Sequence, residues 1–100
     1  MKVNLQSVNF NVDQKLLDFT QAKLDKLENH FSRIIHADVF FKVMNTSSKE
    51  NKITEILLSV PGDEFIIKKI NKSFEGGVDE CVGSLERQLQ KRKDKLNAHV

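Results

Sequence analysis

One hundred residues is the usual size of one domain, so a single core has to serve the whole chain, 1–100. Hydrophobic residues make up 39% of it, with seven Phe, and charged residues 30%, which argues against intrinsic disorder and for a packed interior. Sixteen Lys and Arg against fourteen Asp and Glu leave a net charge of only +2, so a uniformly basic coat is excluded and any polyanion site must come from local clustering.

At the start, Val3 and Leu5 alternate with polar neighbours, predicting a strand over about residues 2–8 that ends or bulges near Ser7, where the alternation changes phase. Asp13 is the expected N-cap of a first helix, with Val12 and Leu17 at the staple positions. Leu16, Leu17, Thr20, Leu24, Leu27 and Phe31 then gather on one helical stripe. Ala37–Met44 places Val39, Phe41 and Val43 on one strand face. The polar stretch Asn45–Asn51 reads as a loop, and a second strand of the hairpin follows over about Ile53–Val60. Pro61-Gly62-Asp63 is a turn, because Pro presets φ at one corner and Gly tolerates positive φ at the next. A further strand is expected over about Phe65–Lys72.

Gly76-Gly77 is read as a chain break, after which Asp79 and Glu80 would occupy the first turn of a last helix running to about Leu96. Val78, Val82, Leu85, Leu89 and Leu96 would form its buried face. The order is β-α-β-β-β-α, an α+β domain with a four-stranded sheet and two helices packed on one of its faces.

Charge placement is more informative than net charge. From Leu85 to His99, the cations Arg87, Lys91, Arg92, Lys93 and Lys95 outnumber Glu86 and Asp94, and Arg87, Lys91 and Lys95 recur every fourth residue along one stripe. On the first helix, Lys15, Lys23 and Lys26 lie on one flank of the apolar stripe and Asp18, Asp25 and Glu28 on the other. Side by side on a sheet, the two helices could bring Lys23 and Lys26 next to Arg87 and Lys91 and build a basic groove. RNA backbone is a natural ligand for it, since each phosphate neutralised releases counterions. The competing reading is a solvated face, because basic C-terminal turns also complement the helix macrodipole.

Val-Pro-Gly ending a strand at 60–62, Lys-Leu-Asp-Lys-Leu-Glu at 23–28 and Leu-Glu-Arg-Gln-Leu-Gln-Lys at 85–91, in this order of strands and helices, resemble the ribosome hibernation-promoting factor family. That family includes ribosome-associated inhibitor A and was formerly labelled sigma-54 modulation protein. The resemblance implies a β-α-β-β-β-α domain that binds the small ribosomal subunit in the decoding channel and silences translation in stationary or starved cells. It also implies rRNA contacts by Lys23, Lys26, Arg87 and Lys91. Lys95 and Arg92 extend that surface by helical position alone. Family members often carry a basic residue where this chain has Asn29 and Ser84, and Asp-Met-Tyr where it has Ser73-Phe74-Glu75. Ending at Val100 and without an acidic tail, the chain is expected to behave as a short form, closer to the branch that assists ribosome pairing than to the inhibitor that holds single ribosomes.

Other chemistry finds little support in the sequence. No apolar run approaches the ~18–20 residues of a membrane span, and the N-terminus lacks a signal-peptide core, so an unprocessed cytoplasmic chain is expected. The lone Cys81 has no partner for an internal disulfide and reads as a packed helix residue. His30, His36 and His99 lack ligand spacing, so no metal or other cofactor is expected. An enzyme acting on a small-molecule substrate is not expected, because no nucleophile sits near a base. Two alternatives remain, a protein-interaction module and an RNA-binding domain without ribosome specificity. Salt-insensitive binding would distinguish the former.

Overall fold

The computed structural model describes residues 1–97, and its elements run β1 (Lys2–Val8), α1 (Gln14–His30), β2 (His36–Val43), β3 (Lys52–Val60), β4 (Asp63–Asn71) and α2 (Phe74–Asn97). His99, which completes the histidine set read from the sequence, lies outside the described residues. The sheet order is β1-β2-β3-β4. β1 and β2 are parallel and joined through α1, whereas β2–β3 and β3–β4 are antiparallel hairpins. Both helices therefore descend from strands that point the same way, and they lie side by side in parallel.

The strand pattern decides which face they cover. Val39 and Phe41 of β2 and Ile56 and Leu58 of β3 are buried with Leu16, Leu24 and Leu27 of α1 and with Val78, Cys81, Leu85 and Leu89 of α2. Each such fully buried aliphatic side chain contributes about 1.5–3 kcal/mol of transfer free energy. The alternate residues point to the helix-free face, where Ile66 and Ile70 stay exposed.

Asp13 caps α1 as expected, its carboxylate accepting the Leu16 N–H at 2.8 Å. Three other expectations are corrected. β4 begins at Asp63 and not near Phe65, because Val60 pairs directly with Asp63 and the turn needs only Pro61 and Gly62, the latter at φ 77°. α2 begins at Phe74, ahead of the glycine pair. Ser73 supplies the cap: its hydroxyl accepts the Gly76 N–H at 3.0 Å and its carbonyl the Gly77 N–H at 3.1 Å. The glycines are therefore seats and not breaks. A Cβ on Gly76 would fall 2.6 Å from Asn71 Oδ1, and one on Gly77 would overlap the Thr54 hydroxyl, so their bareness lets the first turn of α2 press onto β3 and β4. Finally, Leu96 is 57% exposed, because α2 runs on past the core its earlier turns cover.

Aromatic contacts pin this helix start. Phe74 stacks on Phe10 with centroids 4.7 Å apart and meets Phe41 edge-on at 5.0 Å. Cys81 is buried, with its Sγ 3.6 Å from the Thr54 carbonyl. Burial pushes its thiol up to about 12, so at neutral pH it is a protonated packing group and not a nucleophile.

Candidate nucleic-acid interface

The six cations singled out from the sequence fall into three environments. Lys26, Arg87, Lys91 and Lys95 are exposed. Among the described residues no carboxylate lies in ion-pair range of any of them. Lys23 and Arg92 are only half exposed, and both are engaged by the protein itself.

Lys23 marks where the helices meet. Its Nζ lies 2.9 Å from Asp79 Oδ1 on α2 and 5.4 Å from the centroid of the Phe19 ring, one turn back on α1. The flank of α2 facing Lys23 thus carries Asp79. At 100° per residue, Arg87 stands about 80° round the helix from Asp79 and Lys91 about 120°. Arg87 therefore occupies the outer crest of α2, and Lys91 and Lys95 turn towards its β4 side, where Glu80 accepts a 2.9 Å hydrogen bond from Asn71 at the end of β4. The expected groove of Lys23 and Lys26 beside Arg87 and Lys91 is not built through Lys23, which is paired with Asp79. Instead, a neutralised pair fills the seam between the helices, and the unpaired cations stand outside it, Lys26 on α1 and Arg87, Lys91 and Lys95 on α2.

Arg92 acts as a strut. Its Nη2 donates to the Pro61 carbonyl at 2.9 Å and its Nε lies 3.9 Å from Asp63 Oδ2, fastening the overrunning half of α2 to the β3–β4 turn. One guanidinium edge is thereby spent, and the charge is partly offset. Arg87 is steadied by a lighter contact, a 3.1 Å hydrogen bond from Nη2 to the Ser84 hydroxyl. Ser84 is buried, so at this position the side chain serves its neighbour one turn on and offers no surface of its own.

Two cations beside Arg92 did not emerge from periodicity. Arg33, in the connection between α1 and β2, and Lys93 of α2 are exposed and border the same recess. Lys93 was visible as charge but lies off the Arg87–Lys91–Lys95 stripe. Arg33 belongs to no periodic element and is brought close only by tertiary packing. Among the described residues no group of His, Cys, Asp and Glu is arranged to hold a metal ion, and no described helix is long and apolar enough to cross a membrane.

Comparison with known proteins agrees with this architecture. Residues 3–97 match the model of the family described as Sigma 54 modulation protein / S30EA ribosomal protein. The ribosome hibernation promoting factor of Pseudomonas putida is 32% identical over 95 residues, covering 95% of this chain and 89% of that protein. Its counterpart from Escherichia coli (strain K12) is 32% identical over 99 residues, covering 99% of this chain and 100% of that protein. Among solved structures, a ribosomal subunit interface protein from Coxiella burnetii superposes with a TM-score of 0.83 at 21% identity, covering 94% of this chain and 99% of that one. The N-terminal domain of Protein Y from Thermus thermophilus does so with a TM-score of 0.78 at 20% identity, covering 91% and 98%. These two likenesses establish the shared fold.

Proposed function

The chain belongs to the Sigma 54 modulation protein / S30EA ribosomal protein family, and from that membership we propose that it is a non-catalytic ribosome hibernation factor of the cytoplasm. It binds the small subunit in the decoding and tRNA channel, as one ribosome-binding unit, and silences translation in stationary or stressed cells. Lys26, Arg87, Lys91 and Lys95 grip rRNA phosphates, while Lys23 and Arg92 hold the surface in shape and add weaker contacts. Occupancy is the mechanism: a folded domain in the channel excludes mRNA and tRNA by volume, without any bond being made or broken.

The observation that carries this reading is the row of exposed cations on the outer side of α2, unpaired among the described residues, in a chain related over 99% of its length to a protein named for ribosome hibernation. A protein-interaction module would have less use for fixed positive charge than for apolar surface on that crest.

The test is co-sedimentation with purified small subunits over a salt series. Binding should weaken steeply, with a log–log slope of about −0.7 to −0.9 for each phosphate neutralised. Arg87→Glu with Lys91→Glu should lower affinity at least about a hundredfold, by losing two contacts and adding repulsion, while far-UV circular dichroism stays unchanged. Protein remaining at the top of the gradient at low salt, or a double variant that binds like the parent, removes the proposal. The same gradients, run on extracts of starved cells with and without the protein, distinguish paired ribosomes from silenced single ones.

A further inference from the structure

A recess with a different chemistry from the crest lies where α2 overruns the core. Its floor is apolar: Ile34 and Leu89 are buried and Phe31 is half-buried, and all three line the recess. Its rim carries Arg33, Arg92 and Lys93 with His30 beside them, and among the described residues none that lines it is a carboxylate. The recess is open to solvent on one side and offers about 410 Å³, within the ~300–1,000 Å³ of small-ligand sites. Arg92 is held in place by Pro61, so part of the rim is fixed before any ligand arrives.

We propose that this recess takes one unpaired nucleotide of RNA, with its base on the Phe31–Ile34–Leu89 floor and its flanking phosphates on Arg33 and Lys93. A flat apolar ring joined to an anion satisfies both halves of the site. An acidic peptide would satisfy the rim but set its carboxylates over an apolar floor. Lys93 stands about 160° round α2 from both Lys91 and Lys95, so the recess lies on the other side of the helix from the crest and would be a separate contact. Unstacked bases are what single-stranded or looped RNA offers and duplex RNA withholds. The proposal rests on the ribosomal reading for its biological ligand, but not for its test.

The full ¹⁵N-labelled chain is titrated with a short single-stranded oligoribonucleotide, with a duplex of the same sequence and with a Glu-rich peptide. The single strand should shift the amides of Ile34, Leu89 and Lys93 and bind more tightly than the duplex. Arg33→Glu with Lys93→Glu, both at exposed positions, should weaken the single strand about tenfold or more and flatten the salt slope by about 1.4. Phe31→Leu, which keeps apolar volume but not the ring, should cost about fivefold. Shifts confined to the Arg87–Lys91 crest, equal binding of duplex, or a recess filled by the peptide and not by RNA overturn the proposal. If the parent chain sediments with small subunits and the oligonucleotide leaves the recess unmoved, only the recess proposal falls. If the oligonucleotide fills the recess but the parent chain never sediments, only the ribosomal reading falls.

Discussion

The two halves of α2 obey different constraints although they form one continuous helix. From Phe74 to Leu85 it lies on the sheet: Phe74, Gly77, Val78, Cys81, Ser84 and Leu85 are buried, and the charged side chains are the acids Glu75, Asp79 and Glu80. From Glu86 onward Leu89 is the one fully buried side chain up to Leu96, and cations crowd the exposed positions. The macrodipole favours this segregation, with acids at the N-terminus and bases at the C-terminus, by about 0.3–1 kcal/mol for each well-placed charge. The lesson is that the placement which stabilises the helix also displays positive charge where the fold leaves most surface free. Core packing sets the first half, and its release in the second half leaves the cations free at the surface.

The sharpest way to break this comparison is to place the same charge in both regimes of the overrunning half. Leu89 is 4% exposed and Leu96 is 57% exposed, although both fall on the stripe the sequence marks as apolar. Leu89→Asp should remove several kcal/mol, a large part of the ~5–15 kcal/mol available to a domain, by burying an unpaired carboxylate. Leu96→Asp should change stability by no more than about 0.5 kcal/mol. Urea unfolding measures both, and equal midpoints for the two variants would erase the distinction between the packed and the free part of that stripe.

Next in size is the seat of the first half. By helix propensity alone, Gly77→Ala gains up to about 1 kcal/mol. The new methyl would overlap the Thr54 hydroxyl, and overpacking of this kind costs about 1–3 kcal/mol. We expect net destabilisation, relieved in the double variant Gly77→Ala with Thr54→Ala. A single variant more stable than the parent would show that α2 can lift from the sheet without penalty.

That glycine pair also marks how far the sequence was legible. Strand alternation, the Asp13 cap and the Pro61-Gly62 corner are local signals, and they located β1, α1 and the hairpin. Gly76-Gly77 misled because glycine reports equally on a break and on a close approach, and only the position of Thr54 across the interface separates the two. The crest cations were legible from their four-residue recurrence. The pairing of Lys23 with Asp79, the strut from Arg92 to Pro61 and the place of Arg33 on the recess were not, since each depends on which flanks two distant elements turn towards one another.

A pH dependence follows from the buried thiol. Its value rises from 9.0 to about 12 on burial. Above pH 9 the unfolded chain therefore releases this proton while the folded chain keeps it, and unfolding is favoured progressively across that window. Below it both states hold the proton and the group contributes nothing. Between about pH 8 and about pH 10, the parent should lose more stability than Cys81→Ala. Parallel curves for the two would mean that the thiol ionises as freely in the fold as outside it.

The smallest expected effect tests the seam between the helices. Lys23 and Asp79 are bonded at 2.9 Å, but their side chains are 38% and 52% exposed, and such surface pairs contribute about 0–1 kcal/mol. Asp79→Asn keeps the shape and removes the charge, so stability should barely move. If Lys23 is a cation held back from the RNA surface by its partner, small-subunit binding should tighten by a few-fold, and the salt slope should steepen by about 0.7–0.9 as one more phosphate is neutralised. If binding is unchanged while Arg87→Glu with Lys91→Glu abolishes it, Lys23 is a clamp between helices and the interface belongs to the outer crest alone. The seam would then stand with the first half of α2, as packing, and not with the second.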